Sequence, residues 1–82
     1  MIIHYPVSGE KSITAMEAEN KLVFMVDRKA TKPEIKEALQ DLLDCTVTSV
    51  NTMITPQGRK KAYVQFGEDT QAIDIATNLG LL

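Results

Sequence analysis

A chain of 82 residues has room for one small domain and no second core. Hydrophobic residues make up 44% and charged residues 24%, a globular mix that argues against a disordered chain. Nine Lys and Arg against eleven Asp and Glu give a net charge of −2, which does not suggest nucleic-acid binding, and no apolar run approaches the roughly 18 residues that a membrane span needs.

The first residues, Met1 to Pro6, carry no basic leader and no long apolar stretch, so a secretory signal is not expected. The single cysteine, Cys45, can form neither an internal disulfide nor a multi-cysteine zinc site. The expected compartment is a reducing cytoplasm. The charges are unevenly placed. Residues 1–61 hold all nine cations and eight carboxylates, whereas residues 62–82 hold only Glu68, Asp69 and Asp74. Two stretches are locally basic: Arg28-Lys29 with Lys32 and Lys36, and Arg59-Lys60-Lys61. A net acidic protein can still present a basic face, because the local field governs a contact.

In chain order, residues 2–5 suit a short edge strand ended by Pro6, which has no N–H to give a ladder. The polar stretch that follows, from Ser8 to Asn20, places Ile13 and Met16 three apart and permits a short, weakly amphipathic helix. Lys21 to Asp27 reads as a strand apolar on both faces, with Leu22, Phe24 and Val26 on one side and Val23 and Met25 on the other, so it belongs in the middle of a sheet. Thr31 with Glu34 fits a capping box, and Pro33 falls in the first helical turn. Ile35, Ala38, Leu39, Leu42 and Leu43 then form one apolar stripe of a helix.

Val47 to Thr55 is β-branched and alternating, with Thr48, Val50, Thr52 and Ile54 on one face. Pro56-Gln57-Gly58 supplies a turn, and Lys61 to Phe66 is the returning strand, with Ala62, Val64 and Phe66 opposite Lys61, Tyr63 and Gln65. Ala72, Ile75, Ala76 and Leu79 keep helical spacing, and Gly80 suits the position just past the helix end. A right-handed crossover joins the second and third strands, and the fourth folds back between them. The expected architecture is an α+β plait-like domain spanning residues 1–82, with a four-stranded, mostly antiparallel sheet in the order 1-2-4-3 and helices packed on it.

Signals for catalysis are poor. His4 is the only histidine, the four glycines are isolated rather than gathered in a phosphate loop, and no group of metal ligands is visible. Cys45 reads as a small buried residue after the helix. No enzyme activity, cofactor or metal is expected. The hairpin is more informative. Arg59 to Phe66 can be laid on the RNA-recognition octamer, where Arg59, Ala62, Val64 and Phe66 fit, Tyr63 is aromatic as required, and Lys60 and Lys61 do not fit. Stacking on a sheet needs two or three exposed rings, and with Phe24 and Phe66 assigned to the core an open stacking platform is disfavoured. Arg59, Lys60 and Lys61 suit a grip on phosphates, with Asn51, Thr52, Tyr63 and Gln65 near them. They equally suit a strand guarded by lysines against edge pairing. Both readings stand on the residues alone.

Three segments carry a resemblance to a known family. They are Pro6-Val7-Ser8-Gly9-Glu10-Lys11-Ser12 with Met16, Glu17 and Asn20; Ala30 to Lys36 running on to Leu42-Leu43; and Val50-Asn51-Thr52 through Thr55-Pro56 and Gly58 to Lys60-Lys61-Ala62-Tyr63-Val64. In this order and spacing the chain resembles large-subunit ribosomal protein L-twenty-three in its archaeal form. The resemblance implies a structural protein, held in large-subunit ribosomal RNA at the rim of the polypeptide exit tunnel among neighbouring ribosomal proteins. It also implies a docking surface for the signal recognition particle and the protein-conducting channel, without direct membrane insertion. Carried over by position, Lys11, Lys32, Asn51, Thr52, Arg59, Lys60, Lys61 and Tyr63 are expected at RNA, and Glu10, Leu43 and Asp44 at docking factors. Only Pro56 to Lys60 separate the hairpin strands here, so the long extension by which bacterial members reach into the tunnel is missing. Gly9 is a small addition beside Glu10, and the acidic total is unusual for the family. The competing expectation is a free-standing plait, or a degenerate RNA-recognition-type domain, that binds single-stranded RNA or a small ligand.

Overall fold

The structure, a computed structural model, describes residues 2–7 and 18–80. Strand β1 spans Ile3–Pro6, β2 Lys21–Val26, helix α1 Lys32–Leu43, β3 Val47–Ile54, β4 Lys60–Phe66 and helix α2 Ala72–Asn78. The four strands form one antiparallel sheet in the order β1-β2-β4-β3, as the sequence pattern predicts. The helix considered between Ser8 and Asn20 falls almost wholly outside the described residues.

The two-sided apolar pattern of β2 places it centrally, between β1 and β4, and residues 22–26 are all buried. Strand alternation sends Leu22, Phe24 and Val26 into one core with Ala62, Val64 and Phe66 of β4, Ile35 and Leu39 of α1, and Ala72, Ile75 and Ala76 of α2. Both described helices therefore cover the same face of the sheet. The opposite face carries Val23 and Met25 with Tyr63 and Lys61 in register, and Asn51 and Met53 of β3 beyond them.

Helix α1 starts as its residues dictate. Thr31 Oγ1 accepts from Glu34 N at 3.3 Å, and Glu34 Oε1 accepts from Thr31 N at 2.9 Å, which satisfies two otherwise orphaned donors. The apolar stripe is narrower than its spacing suggests. Ile35 and Leu39 are fully buried and Leu43 packs against the core, but Leu42 is 65% exposed. Leu43 and Cys45 take the places that close this end of the core.

Strict alternation in β3 also fails, for a local reason. The register slips between Val47, opposite Phe66, and Ser49, opposite Gln65. Thr48 is the extra residue of a β-bulge and is exposed, and its Oγ1 donates to Gln65 O at 3.2 Å. Val47 and Val50 thus share the core face, although they stand three positions apart in a strand. The β3–β4 turn is built by Thr55-Pro56-Gln57-Gly58: Gly58 N donates to Thr55 O at 2.9 Å, Thr55 N donates to Arg59 O at 2.7 Å, and Gly58 takes φ of +81°. Proline in the first central position and glycine at the left-handed one suit this turn.

Asn20 joins the start of β2 to the β4–α2 connection. It sits at φ of 57°, its Nδ2 donates to the carbonyls of Phe66, Gly67 and Thr70 at 3.3, 3.2 and 2.8 Å, and its Oδ1 accepts from Ala72 N at 2.7 Å. The residue before α2, Gln71, makes no side-chain cap, so a side chain 52 positions away supplies the acceptor for the first turn of that helix. At the other end of α2, Gly80 takes φ of +78°, as expected of the residue after the last turn.

Candidate nucleic-acid interface

One end of the sheet gathers the cations. There β2 runs into the loop that starts α1, β4 begins, and the β3–β4 turn projects, so Arg28, Lys29, Lys32, Arg59, Lys60 and Lys61 converge from segments far apart in sequence. Among the described residues the one ion pair within 4.0 Å is Lys21 with Glu19, at 3.2 Å and beyond the opposite end of β2. The cations of the hairpin end therefore have no carboxylate partner among the described residues.

These cations divide by face. Lys61 lies on the face opposite α1 and α2, in register with Met25 on one neighbouring strand and Met53 on the other. Tyr63 and Asn51 form the next row on that face, and Tyr63 Oη donates to Met53 Sδ at 3.1 Å. Lys60 points to the helix side. Its Nζ donates to Ala30 O at 2.7 Å and Arg28 O at 3.4 Å, which ties the start of β4 to the loop before α1. Thr52, opposite the buried Ala62, also lies on the helix side. Arg59 is exposed on the turn, and its Nη1 donates to Tyr5 Oη at 3.4 Å. Lys32 is exposed in the first turn of α1. The structure thus brings Asn51, Lys61 and Tyr63 together on one face and joins Arg59 to their edge, while Thr52, Lys60 and Lys32 stand on the other side. Lys11 lies outside the described residues, as does Glu10.

Of the remaining docking candidates, Asp44 is exposed at the end of α1 in a left-handed conformation, φ 49° and ψ 53°. Leu43 is half-buried against the core, and the exposed leucine beside it is Leu42. Cys45 is half-buried; its Sγ donates to Leu39 O at 3.7 Å, and burial, with help from Asp44 and Asp69, pushes its thiol pKa up. A raised pKa keeps the sulfur protonated and a poor nucleophile. Among the described residues no three potential ligands stand close enough to hold a metal ion.

Sequence reasoning missed Tyr5 and assigned no role to Arg28 beyond a basic cluster. Tyr5 is 54 positions from Arg59, and only the pairing of β1 with β2 and of β2 with β4 brings the two together. Tyr5, Met25, Arg28, Gly58 and Arg59 line a groove of about 370 Å³ that opens beside the hairpin turn.

The fold and this end define a class: a small antiparallel α+β domain with a cationic hairpin. The particular family is decided by comparison. The family model described as Ribosomal protein L23 matches residues 1–75. The large ribosomal subunit protein uL23 of Methanococcus aeolicus is 45% identical over 80 residues, covering 98% of this chain and 93% of that protein. Those of Methanococcus vannielii and Methanococcus maripaludis are 46% and 42% identical over the same coverage. The chain belongs to the ribosomal protein L23 family, in its archaeal type.

Proposed function

We propose that the protein is a structural constituent of the large ribosomal subunit that binds large-subunit ribosomal RNA near the polypeptide exit tunnel. The hairpin end is the RNA-facing part, with Asn51, Arg59, Lys61 and Tyr63 in contact and Lys32, Thr52 and Lys11 contributing from the flank. Lys60 serves this surface mainly by fixing the loop that carries Arg28. The observation that carries the reading is the set of cations gathered at one end of the sheet with no carboxylate partner among the described residues, in a chain of this family. Three or so phosphate contacts there give binding that falls with about the second to third power of salt concentration. On the ribosome, in the cytoplasm, neighbouring large-subunit proteins share the site. Glu10, Leu43 and Asp44 belong to surfaces that dock the signal recognition particle and the protein-conducting channel, with Leu42 offering the exposed apolar contact beside Asp44.

Sucrose-gradient fractionation of the tagged protein at low and high salt tests this. The double variant Arg59→Glu, Lys61→Glu avoids the internal bonds of Lys60 and keeps the fold. It is expected to lose cofractionation with large subunits at least tenfold, and normal incorporation would end the RNA assignment. Glu10→Arg is expected to leave incorporation unchanged and to weaken recruitment of the signal recognition particle. Undiminished recruitment removes Glu10 from the docking surface.

A further inference from the structure

We infer that the groove beside the hairpin turn takes one unpaired nucleotide of an RNA strand, its base against Tyr5 and its phosphate on the guanidiniums of Arg28 and Arg59. The inference rests on the RNA reading above and adds to it a single-nucleotide site.

The groove is concave, at about 370 Å³. That is near the lower limit of the roughly 300–1,000 Å³ typical of small-ligand sites, room for one nucleotide and not for a duplex. Its walls are of two kinds. Tyr5 is 47% exposed, whereas Met25, its partner on β2 in register, is only 8% exposed, so the ring supplies the accessible apolar wall. An aromatic ring favours the face of a planar base. Across from it, Arg59 Nη1 reaches Tyr5 Oη at 3.4 Å, which holds the phenol and one guanidinium in a fixed relation.

Arg28 completes the set from the far side of the turn. A Cβ at Gly58 would stand at an ordinary contact distance of 3.7 Å from Arg28 Nη1, so the guanidinium lies against the turn, whose glycine is needed for its φ of +81°. Lys60 fixes the loop through the Arg28 and Ala30 carbonyls, so Arg28 is presented from a tied backbone. Two guanidiniums beside an exposed ring match the two halves of a nucleotide, a doubly ionised or bridging phosphate and a flat base. A paired strand does not offer this combination, because its bases are stacked inside the helix, whereas an unpaired one does. A groove meant for phosphates alone has no use for the exposed ring.

The test uses the full chain and a single-stranded oligoadenylate of about eight nucleotides, compared with the same strand annealed to its complement, with adenosine monophosphate and with inorganic phosphate. The single strand is expected to bind at least about tenfold more tightly than the duplex, and adenosine monophosphate more tightly than inorganic phosphate. The Gly58 amide and Met25 methyl resonances should move on addition of the strand. Tyr5→Leu is expected to weaken single-strand binding about fivefold or more, and Tyr5→Phe, which keeps the ring, to stay within about twofold of the parent. Equal binding of strand and duplex, unmoved Gly58 and Met25 resonances, or an unaffected Tyr5→Leu protein that is still folded each overturns the nucleotide site. Loss of RNA in Arg59→Glu, Lys61→Glu together with an unaffected Tyr5→Leu defeats the groove and leaves the ribosomal reading intact. Absence of RNA binding by the parent and every variant, with normal cofractionation lost as well, defeats both.

Discussion

Replacing Asn20 separates a side chain's hydrogen bonds from its backbone conformation. The Nδ2 group has two hydrogens to share among three carbonyls, so it contributes two net bonds, and Oδ1 contributes a third through Ala72 N. At about 1 kcal/mol for each net bond, Asn20→Gly, which keeps the left-handed φ of 57° without strain, is expected to cost about 3 kcal/mol. Asn20→Ala loses the same bonds and must hold an alanine in that conformation, for about 1 kcal/mol more. A chain of this length has a total stability of about 4–12 kcal/mol, so the alanine variant stands near the threshold of folding. Urea unfolding followed by circular dichroism measures both, and each kcal/mol should also lower the melting temperature by about 4–8 °C. Faster hydrogen exchange at the Ala72 amide should accompany the loss, since the first turn of α2 has no other side-chain cap. A cost below about 1 kcal/mol for alanine, or a glycine variant less stable than the alanine one, would refute the reasoning.

Asp44→Gly is expected to raise stability by about 0.5–1 kcal/mol, because it relieves a left-handed non-glycine residue and removes a negative charge from the end of α1, where the helix dipole disfavours it; calorimetry showing no gain refutes this. The Glu34 carboxylate has its pKa lowered from 4.5, first by the bond from Thr31 N and then by the Thr31 hydroxyl. A lowered folded-state value means the charged cap stabilises above the unfolded value and is lost as pH falls through the folded one. The stability difference between the parent and Glu34→Gln should therefore be constant above about pH 4.5 and shrink below it in acid titrations of the melting temperature. A difference that grows toward low pH contradicts the capping box. The Cys45 thiol, raised by burial and then by Asp44 and Asp69, should react with iodoacetamide along a pH profile centred above 9.0; a midpoint at or below that value excludes the buried, acid-flanked setting.

Short-range chemistry was legible in the sequence and long-range chemistry was not. The capping box at Thr31 and Glu34, the turn at Pro56 to Gly58 and the central place of β2 all depend on neighbours within a few residues, and each appears as expected. The β-bulge at Thr48 has no local marker, because Thr48 fits an alternating strand as well as a bulge. Leu42 follows the helical period yet faces out, since the period fixes a direction but not how far the core extends beneath it. Lys60 and Lys61 are adjacent in the chain and read as one patch, but strand alternation sends them to opposite faces. Asn20 and Tyr5 are the furthest from legible: their partners lie 46 to 54 positions away, and their residue types alone predict neither a remote helix cap nor the wall of a groove.

The net charge of −2 misleads for a related reason, since it sums over a molecule whose fold sorts its charges. Strand β4 begins at Lys60 and Lys61 and ends just before Glu68 and Asp69, and Asp44 closes α1 at that same far end. At about 3.3 Å per residue, the strand separates the two groups by roughly 20 Å. The Debye length at physiological ionic strength is about 8 Å, so the field of the acidic end is reduced to roughly a tenth across that distance. A phosphate approaching the hairpin turn therefore meets Arg28, Arg59 and Lys61 and very little of Asp44, Glu68 and Asp69, while Asp27 and Glu34 are the carboxylates that stand at the basic end. The same separation leaves the acidic end available to a partner of opposite charge while the basic end is engaged. Lowering the salt below physiological levels lengthens the screening distance and lets the far carboxylates oppose RNA. Binding by the isolated chain should consequently rise less steeply at very low salt than the count of hairpin cations alone implies.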